Sequence, residues 1–273
     1  MQFKYYHLDS FTDIPFTGNP AAVCIFTEFP ENNIMQKVAA EINLSETAFI
    51  VIRDIVKNKM LSDIKWFTPS TEVPLCGHAT LATAKVLFDE YPELESIQFN
   101  SKSGLLYMEK NKEDYIIMNF PIDDLEEYSF SSEFFKALGI EKSVYSGRSK
   151  NLLKGLIEIE NIQNLEKITP DYELLLKNIS IEELRGLIIT SRDYGENDFV
   201  SRYFAPWVGI NEDPVTGSAH TVLAAYWSEK LGKTEMKCEQ LSERKGFMKL
   251  KVNNDRVLIY GKVIPIIKGE IQI

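Results

Sequence analysis

Three ionisable residues stand out in this chain because each sits beside a run of small or apolar residues. Glu46 lies in Leu44-Ser45-Glu46-Thr47-Ala48-Phe49, His78 in Cys76-Gly77-His78-Ala79-Thr80, and Asp213 just ahead of Thr216-Gly217-Ser218-Ala219-His220. The two small-residue turns each lead into a helix-like segment. A helix N-terminus presents unpaired N–H groups and a partial positive charge, so two such ends facing one cleft bind a carboxylate-bearing molecule from both sides. Carboxylates and an imidazole beside such an anion site suit acid–base work on the bound molecule. Taken singly, each residue also has an ordinary reading: Glu46 as a solvated strand start, His78 as a first-turn side chain bonded to backbone, Asp213 as a carboxylate favoured by the helix dipole.

The elements that must hold these residues occur twice. Trp66 to Glu90 reads WFTPSTEVPLCGHATLATAKVLFDE, and Arg202 to Gly232 reads RYFAPWVGINEDPVTGSAHTVLAAYWSEKLG. Each opens with an aromatic, apolar strand ending in Pro (Pro69, Pro206), passes through a loop and enters a helix. From Ala79 to Phe88, and again from Ala219 to Trp227, apolar residues fall on all sides, the pattern of a helix buried all round. An offset of 140 residues separates Gly77 from Gly217 and Pro30 from Pro170, while Pro69 and Pro206 are 137 apart. The second copy therefore carries three extra residues, placed among Trp207 to Asp213. We expect an α/β (α+β) chain of two similar halves, each a curved mixed sheet wrapped around a central buried helix. Residues 1–120, completed by a C-terminal strand at 264–273, form one half and residues 121–263 the other, with a ligand site in the cleft between them.

Catalysis in a duplicated fold should reside in residues the copies do not share. The offset carries Glu46 onto Gly186 and His78 onto Ser218, and Asp213 falls in the expansion. The aromatic residues Trp66, Phe67, Tyr203, Phe204 and Trp207 hint at a cyclic ligand, although aromatics on strands more often belong to the core.

Further elements follow from pattern. Strands are expected near 3–10, 21–26, 43–52, 63–68, 96–100, 104–110 and 114–119, with a helix opened by Pro30. In the second half, a helix at 132–138 is capped by Ser131 or Ser132 and stopped by Gly139. Thr169-Pro170 are read as the N-cap and first residue of another helix. Strands near 144–148, 152–159, 186–191, 198–205, 235–241, 247–252 and 256–264 complete it.

Composition narrows the function classes. A hydrophobic content of 44% over 273 residues supports a real core. The net charge of −10 argues against nucleic acid and anionic membrane surfaces, which call for basic patches. The N-terminal sequence lacks the pattern of a secretion leader, and no apolar run reaches the ~18 residues of a membrane span. The three cysteines are far from one another and the three histidines are not at metal-ligand spacing from each other, which suggests neither a disulfide framework nor a zinc site and fits a reducing cytoplasm.

Four motifs in order, DSFTDIPFTGNPAAV, LSETAF, FTPSTEVPLCGHATLA and EDPVTGSAH, resemble the phenazine-biosynthesis PhzF family within the diaminopimelate epimerase-like fold, over essentially the whole chain. The resemblance implies no metal, no organic cofactor and often a homodimer. It makes Glu46 the general acid/base, assisted by His78 and Asp213. Asn19 then lies at the cleft, and the backbones of Gly77, Gly217 and Ser218 meet the substrate carboxylate. Diaminopimelate epimerase itself matches less well: its two opposed thiols have a counterpart here in Cys76, but Thr216 stands at the second position.

These expectations combine into a cofactor-independent isomerase that moves a proton between carbons of a small carboxylic acid through Glu46. One alternative is an epimerase or racemase in which Cys76 or Asp213 is the second base. Another is a non-catalytic protein that binds small anions.

Overall fold

The computed structural model describes residues 1–273, which divide into two compact units: residues 1–119 with 259–273, and residues 120–258. In chain order the first contains β1 (Gln2–Ser10), β2 (Asn19–Phe26), α1 (Asn32–Ile42), β3 (Glu46–Val56), β4 (Lys59–Phe67), β5 (Glu72–Val73), α2 (Gly77–Glu90), β6 (Ser96–Ser101), β7 (Gly104–Lys110) and β8 (Ile116–Pro121). The second contains β9 (Leu125–Glu127), α3 (Ser132–Leu138), β10 (Tyr145–Ser149), β11 (Lys154–Glu158), α4 (Ile162–Lys167), α5 (Tyr172–Asn178), β12 (Gly186–Arg192) and β13 (Phe199–Ala205). It continues through a 3₁₀ turn at Pro206–Val208, β14 (Ile210–Glu212), α6 (Gly217–Leu231), β15 (Glu235–Gln240) and β16 (Gly246–Asn253). After β17 (Arg256–Gly261), strand β18 (Val263–Gln272) pairs antiparallel with β1.

The sheet pattern of one unit is repeated in the other. In the first, β1 and β2 are antiparallel, β2 and β3 parallel, β3 and β4 antiparallel, and β4 and β6 parallel, with β7 and β8 adding antiparallel strands. In the second, β10 through β13 and then β15 and β16 run through the same alternation. Each parallel pair needs a crossover, which α1 and α2 supply in the first unit and α4, α5 and α6 in the second. No helix is long and apolar enough to cross a membrane.

Helix α2 is enclosed as its composition demands. From His78 to Phe88 every residue except Lys85 is buried, against β1, β2, β3, β7 and β18. Full burial of side chains such as Leu81, Leu87 and Phe88 contributes roughly 2 kcal/mol each. Lys85 escapes by reaching Asp89 at 2.9 Å and Asp114 at 3.5 Å. Helix α6 likewise buries Ala219 to Ala224 and Trp227. Trp66, Phe67, Tyr203, Phe204 and Trp207 are all buried core residues.

Several local expectations shift. Pro30 lies outside α1, whose N-cap is Glu31, and Thr169-Pro170 do not cap α5. Asp171 does, its carboxylate accepting from Leu174 N at 3.0 Å, a stronger acceptor than a Thr hydroxyl two residues too early. Helix α4 was not anticipated; Asn161 caps it by accepting from Asn164 N at 2.9 Å. Ser131, rather than Ser132, caps α3, and Gly139 closes it at a φ of 68°. The three-residue expansion forms the 3₁₀ turn and β14, whose Glu212 is held in a forked ion pair by Arg202 at 2.7 and 2.8 Å.

His220 lies fully inside α6, its Nδ1 donating to Thr216 O at 2.8 Å, and burial lowers its pKa to about 4. The unfolded chain binds this proton more readily, so stability rises with pH from about 4 to the unfolded value near 6.5. Urea denaturation should therefore show the protein losing about 1–2 kcal/mol between pH 7 and pH 5 through this residue. His220→Gln should flatten that slope; an unchanged slope would place its origin elsewhere.

Candidate active site

Glu46 is the first residue of β3 and faces Ala21 across the parallel pairing with β2, whose own first residue is Asn19. The starts of two parallel strands therefore share an edge, and the first turn of α2 brings His78 against them. Asn19 Nδ2 lies 3.2 Å from His78 Nδ1, and His78 Nε2 lies 3.3 Å from Glu46 Oε2 and 3.4 Å from Ser45 Oγ. With the Asn19 amide nitrogen facing it, Nδ1 accepts, so the ring proton sits on Nε2, whose hydrogen-bond partner is Ser45 Oγ, while Glu46 Oε2 lies beside it without a hydrogen bond. Cys76 Sγ lies 3.6 Å from Nδ1 and 3.9 Å from Nε2 of the same ring.

This arrangement is dry. Asn19 is fully buried, His78 and Cys76 nearly so, and the Glu46 side chain retains 13% exposure. Burial pushes the Glu46 carboxyl above its ordinary value, while hydrogen bonds from Ser45 and Cys76 pull the other way. Raising a carboxyl in this manner suits it to take and return a proton near neutral pH.

The surrounding backbone is fixed by small polar contacts. Ser10 Oγ donates to His78 O at 2.8 Å, and Thr80 Oγ1 donates to Cys76 O at 2.5 Å, tying the start of α2 to β1 and to its own first turn. The N-cap side chain of Cys76 forms no capping hydrogen bond, so the N–H groups of the first turn are not closed off by a side chain. Gly77, half-buried, is the first of these residues.

In the second unit, Asp213 lies at the end of the expansion and accepts from Thr216 Oγ1 at 2.5 Å. Gln240, fully buried on β15, holds this turn at both ends: Nε2 donates to Asp213 O at 2.7 Å, and Oε1 accepts from Thr216 N at 2.9 Å. Gly217 and Ser218 form the first turn of α6, whose N-cap Thr216 likewise makes no side-chain cap bond. Within the first unit the structure thus gathers Asn19, Glu46, Gly77 and His78, and within the second Asp213, Gly217 and Ser218.

Two supporting residues escaped sequence reasoning. Ser45 stands inside the quoted LSETA run, so its position beside Glu46 was available as a signal. Gln240 had none, because its role depends on the pairing of β13 with β15. A broad concavity of about 980 Å³ in the second unit, lined by Tyr145, Tyr226, Lys230 and Asp255 among others, contains none of the candidate residues.

The equivalent of Glu46 in the second unit is occupied differently. Gly186 begins β12 as Glu46 begins β3, and a Cβ there would lie 1.9 Å from Tyr203 Oη. That hydroxyl accepts from Lys154 Nζ at 2.7 Å, and Lys154 faces Gly186 across the parallel β11–β12 pairing. Tyrosine fills the space that a carboxylate side chain would need.

Comparison with known proteins agrees with this architecture. The model of a family described as phenazine biosynthesis-like protein (PhzC-PhzF) matches residues 8–269. The chain is 42% identical, over 99% of both chains, to a Halalkalibacterium halodurans protein named uncharacterized isomerase. It is also similar to the crystal structure of a PhzF family phenazine biosynthesis protein from Enterococcus faecalis, with a TM-score of 0.90, 38% identity and complete coverage of both chains. A probable proline racemase from Agrobacterium radiobacter shares the fold alone, with a TM-score of 0.64 and 8% identity over 99% of this chain and 92% of its own. The expected fold of two similar halves, each a mixed sheet around a buried helix, is the fold observed.

Gly18 sets the position of Asn19. Its φ of 71° is left-handed, and a Cβ would meet Ser10 O at 2.3 Å. Gly139 has a similar φ of 68° but open space around it. Gly18→Ala should therefore cost roughly 2–4 kcal/mol by chemical denaturation, against about 1 for Gly139→Ala. Equal costs would show that the approach to Ser10 imposes no constraint.

Proposed function

We propose that this chain, which belongs to the phenazine biosynthesis-like (PhzC-PhzF) family, is an isomerase that shifts a proton between two carbons of a small unsaturated carboxylic acid, with Glu46 as the only base. The observation that carries the reading is the buried chain of contacts Asn19–His78–Glu46, which presents one carboxylate beside the first turn of an enclosed helix.

Each group has a defined task. Ionised Glu46 takes a proton from the carbon next to the conjugated system, and the C–H electron pair moves into the carbon framework as the double bond shifts. The negative charge that develops on the substrate carboxylate is met by backbone N–H groups of the first turn of α2, Gly77 among them. Protonated Glu46 then returns its proton to the far end of the shifted double bond on the same face. His78 packs its Nε2 edge against the carboxylate, and Asn19 holds the ring in that orientation. The named residues supply base, acid and anion stabilisation, so the scheme calls for no metal or organic cofactor.

Inversion of a stereocentre would need a second base across the carbon. Two bases each about 3–3.5 Å from one carbon stand ~6–7 Å apart on opposite faces. The ligating atoms of Cys76, His78 and Glu46 all lie within 4.8 Å of one another. Cys76 is too near Glu46 for that role.

Mass spectrometry of solvent deuterium uptake, run on a panel of unsaturated and amino carboxylic acids in heavy water, tests this. Uptake into one compound should fall roughly 10²–10⁴-fold in Glu46→Gln, with ligand binding retained and no inversion at the exchanged carbon. Exchange that survives the substitution, or inversion at the labelled centre, would overturn the single-base reading.

A further inference from the structure

Cys76, His78 and Glu46 have a second chemical identity that proton transfer does not use. They are a thiol, an imidazole and a carboxylate, the three side-chain types that bind zinc. Their spacing is also suitable. A tetrahedral zinc ion with bonds of about 2.0–2.1 Å to nitrogen and oxygen and 2.3 Å to sulfur holds neighbouring ligand atoms roughly 3.3–3.6 Å apart. Here the two edges that meet at the ligating nitrogen are His78 Nε2 to Glu46 Oε2 at 3.3 Å and Nε2 to Cys76 Sγ at 3.9 Å; the sulfur is also 3.6 Å from Nδ1, so it swings outward from the ring when a metal enters. All three donor atoms fit within a 4.8 Å span. Two edges of the trio, Nε2–Oε2 and Sγ–Nε2, are thus within a few tenths of an ångström of those of a tetrahedral site, and the third, from Sγ to the carboxylate, is no longer than 4.8 Å.

We propose that this trio binds a thiophilic divalent cation, zinc above all, as an inhibitory ligand that excludes substrate. Zinc here is not a resident cofactor, because two of the groups it takes, Glu46 and His78, are ones the proton-transfer scheme requires. On binding, the Cys76 thiol releases its proton to solvent and the thiolate sulfur donates to the metal. Glu46 binds as carboxylate, and neutral His78 binds through Nε2, its ring proton moving to Nδ1. Asn19 meets that change by turning its amide oxygen toward the ring. The fourth position is left to water. A soft sulfur ligand makes the site selective: zinc, cobalt and cadmium bind, whereas magnesium and calcium, which demand oxygen ligands, do not.

The full chain, stripped of metal and kept reduced with a phosphine, should be titrated with Co²⁺. One equivalent should give the near-ultraviolet thiolate-to-cobalt band and the intense visible bands of tetrahedral cobalt, and Zn²⁺ should bleach both. Cys76→Ser, nearly isosteric, should abolish the thiolate band and weaken zinc binding at least tenfold. In the unmodified chain, zinc should slow alkylation of Cys76 by iodoacetamide at least tenfold, read by peptide mass spectrometry, so the result does not depend on the variant folding. Millimolar Mg²⁺ should do neither. A thiolate band that persists in Cys76→Ser, no band at millimolar Co²⁺, or alkylation indifferent to zinc would overturn the proposal. None of these readouts needs a substrate, so their failure leaves the isomerase reading intact, and failure of deuterium uptake leaves the metal site intact.

Discussion

A helix that is apolar on every face can be satisfied only by enclosure, and the enclosure of α2 governs the rest of this structure. Its sides are taken by five strands, so its ends are the only backbone that reaches a ligand. The start of the helix must then be held by contacts that spare its N–H groups, and Ser10 and Thr80 do so by donating to carbonyls instead. The sheet wrapped around it includes a parallel pair, which places the first residues of β2 and β3 on one edge. Asn19, Glu46 and His78 meet because strand starts and helix start coincide there.

Duplication gives each unit that frame, and the sequence differences decide what the frame does. In the first unit the strand start carries Glu46 beside the small Ala21. In the second, the same register sets Gly186 beside Lys154, and Tyr203 projects from β13 into the space. Lys154 and Tyr203 satisfy each other in the interior, so this corner is a closed polar contact rather than a base. The expansion before α6 carries Asp213 instead, on a turn clamped by Arg202 and Gln240. Two related frames thus hold different ionisable groups.

Much of this was legible in the sequence because the relevant signals are periodic or repeated. All-round apolarity identified α2 and α6, and the offset of 140 residues isolated Glu46 as a group without a counterpart. The missed features depend on contacts between residues distant in the chain. Gln240 pins the Asp213 turn from another strand, and Tyr203 explains Gly186 only through the β12–β13 pairing. Capping at α1 and α5 slipped because a Pro was read as the first helical residue, when the chain takes one or two more residues to turn. The proximity of Cys76 to Glu46 was equally hidden, since linear spacing argued against any metal-ligand cluster.

That proximity bears on why a thiol stands beside the base at all. A buried carboxylate needs donors for its oxygens, and each donor that stabilises the charged form weakens it as a base. A thiol is a weak donor, so Cys76 can occupy one side of Glu46 without holding its proton affinity down as far as an amide or ammonium would. It is also apolar enough to be nearly buried at the helix N-cap, where a Ser or Asp would bond back to the first-turn N–H groups and close the anion site. The same choice leaves a soft sulfur beside an imidazole and a carboxylate. The proton affinity of the carboxylate and the proximity of a metal-ligating sulfur thus follow from one placement of Cys76.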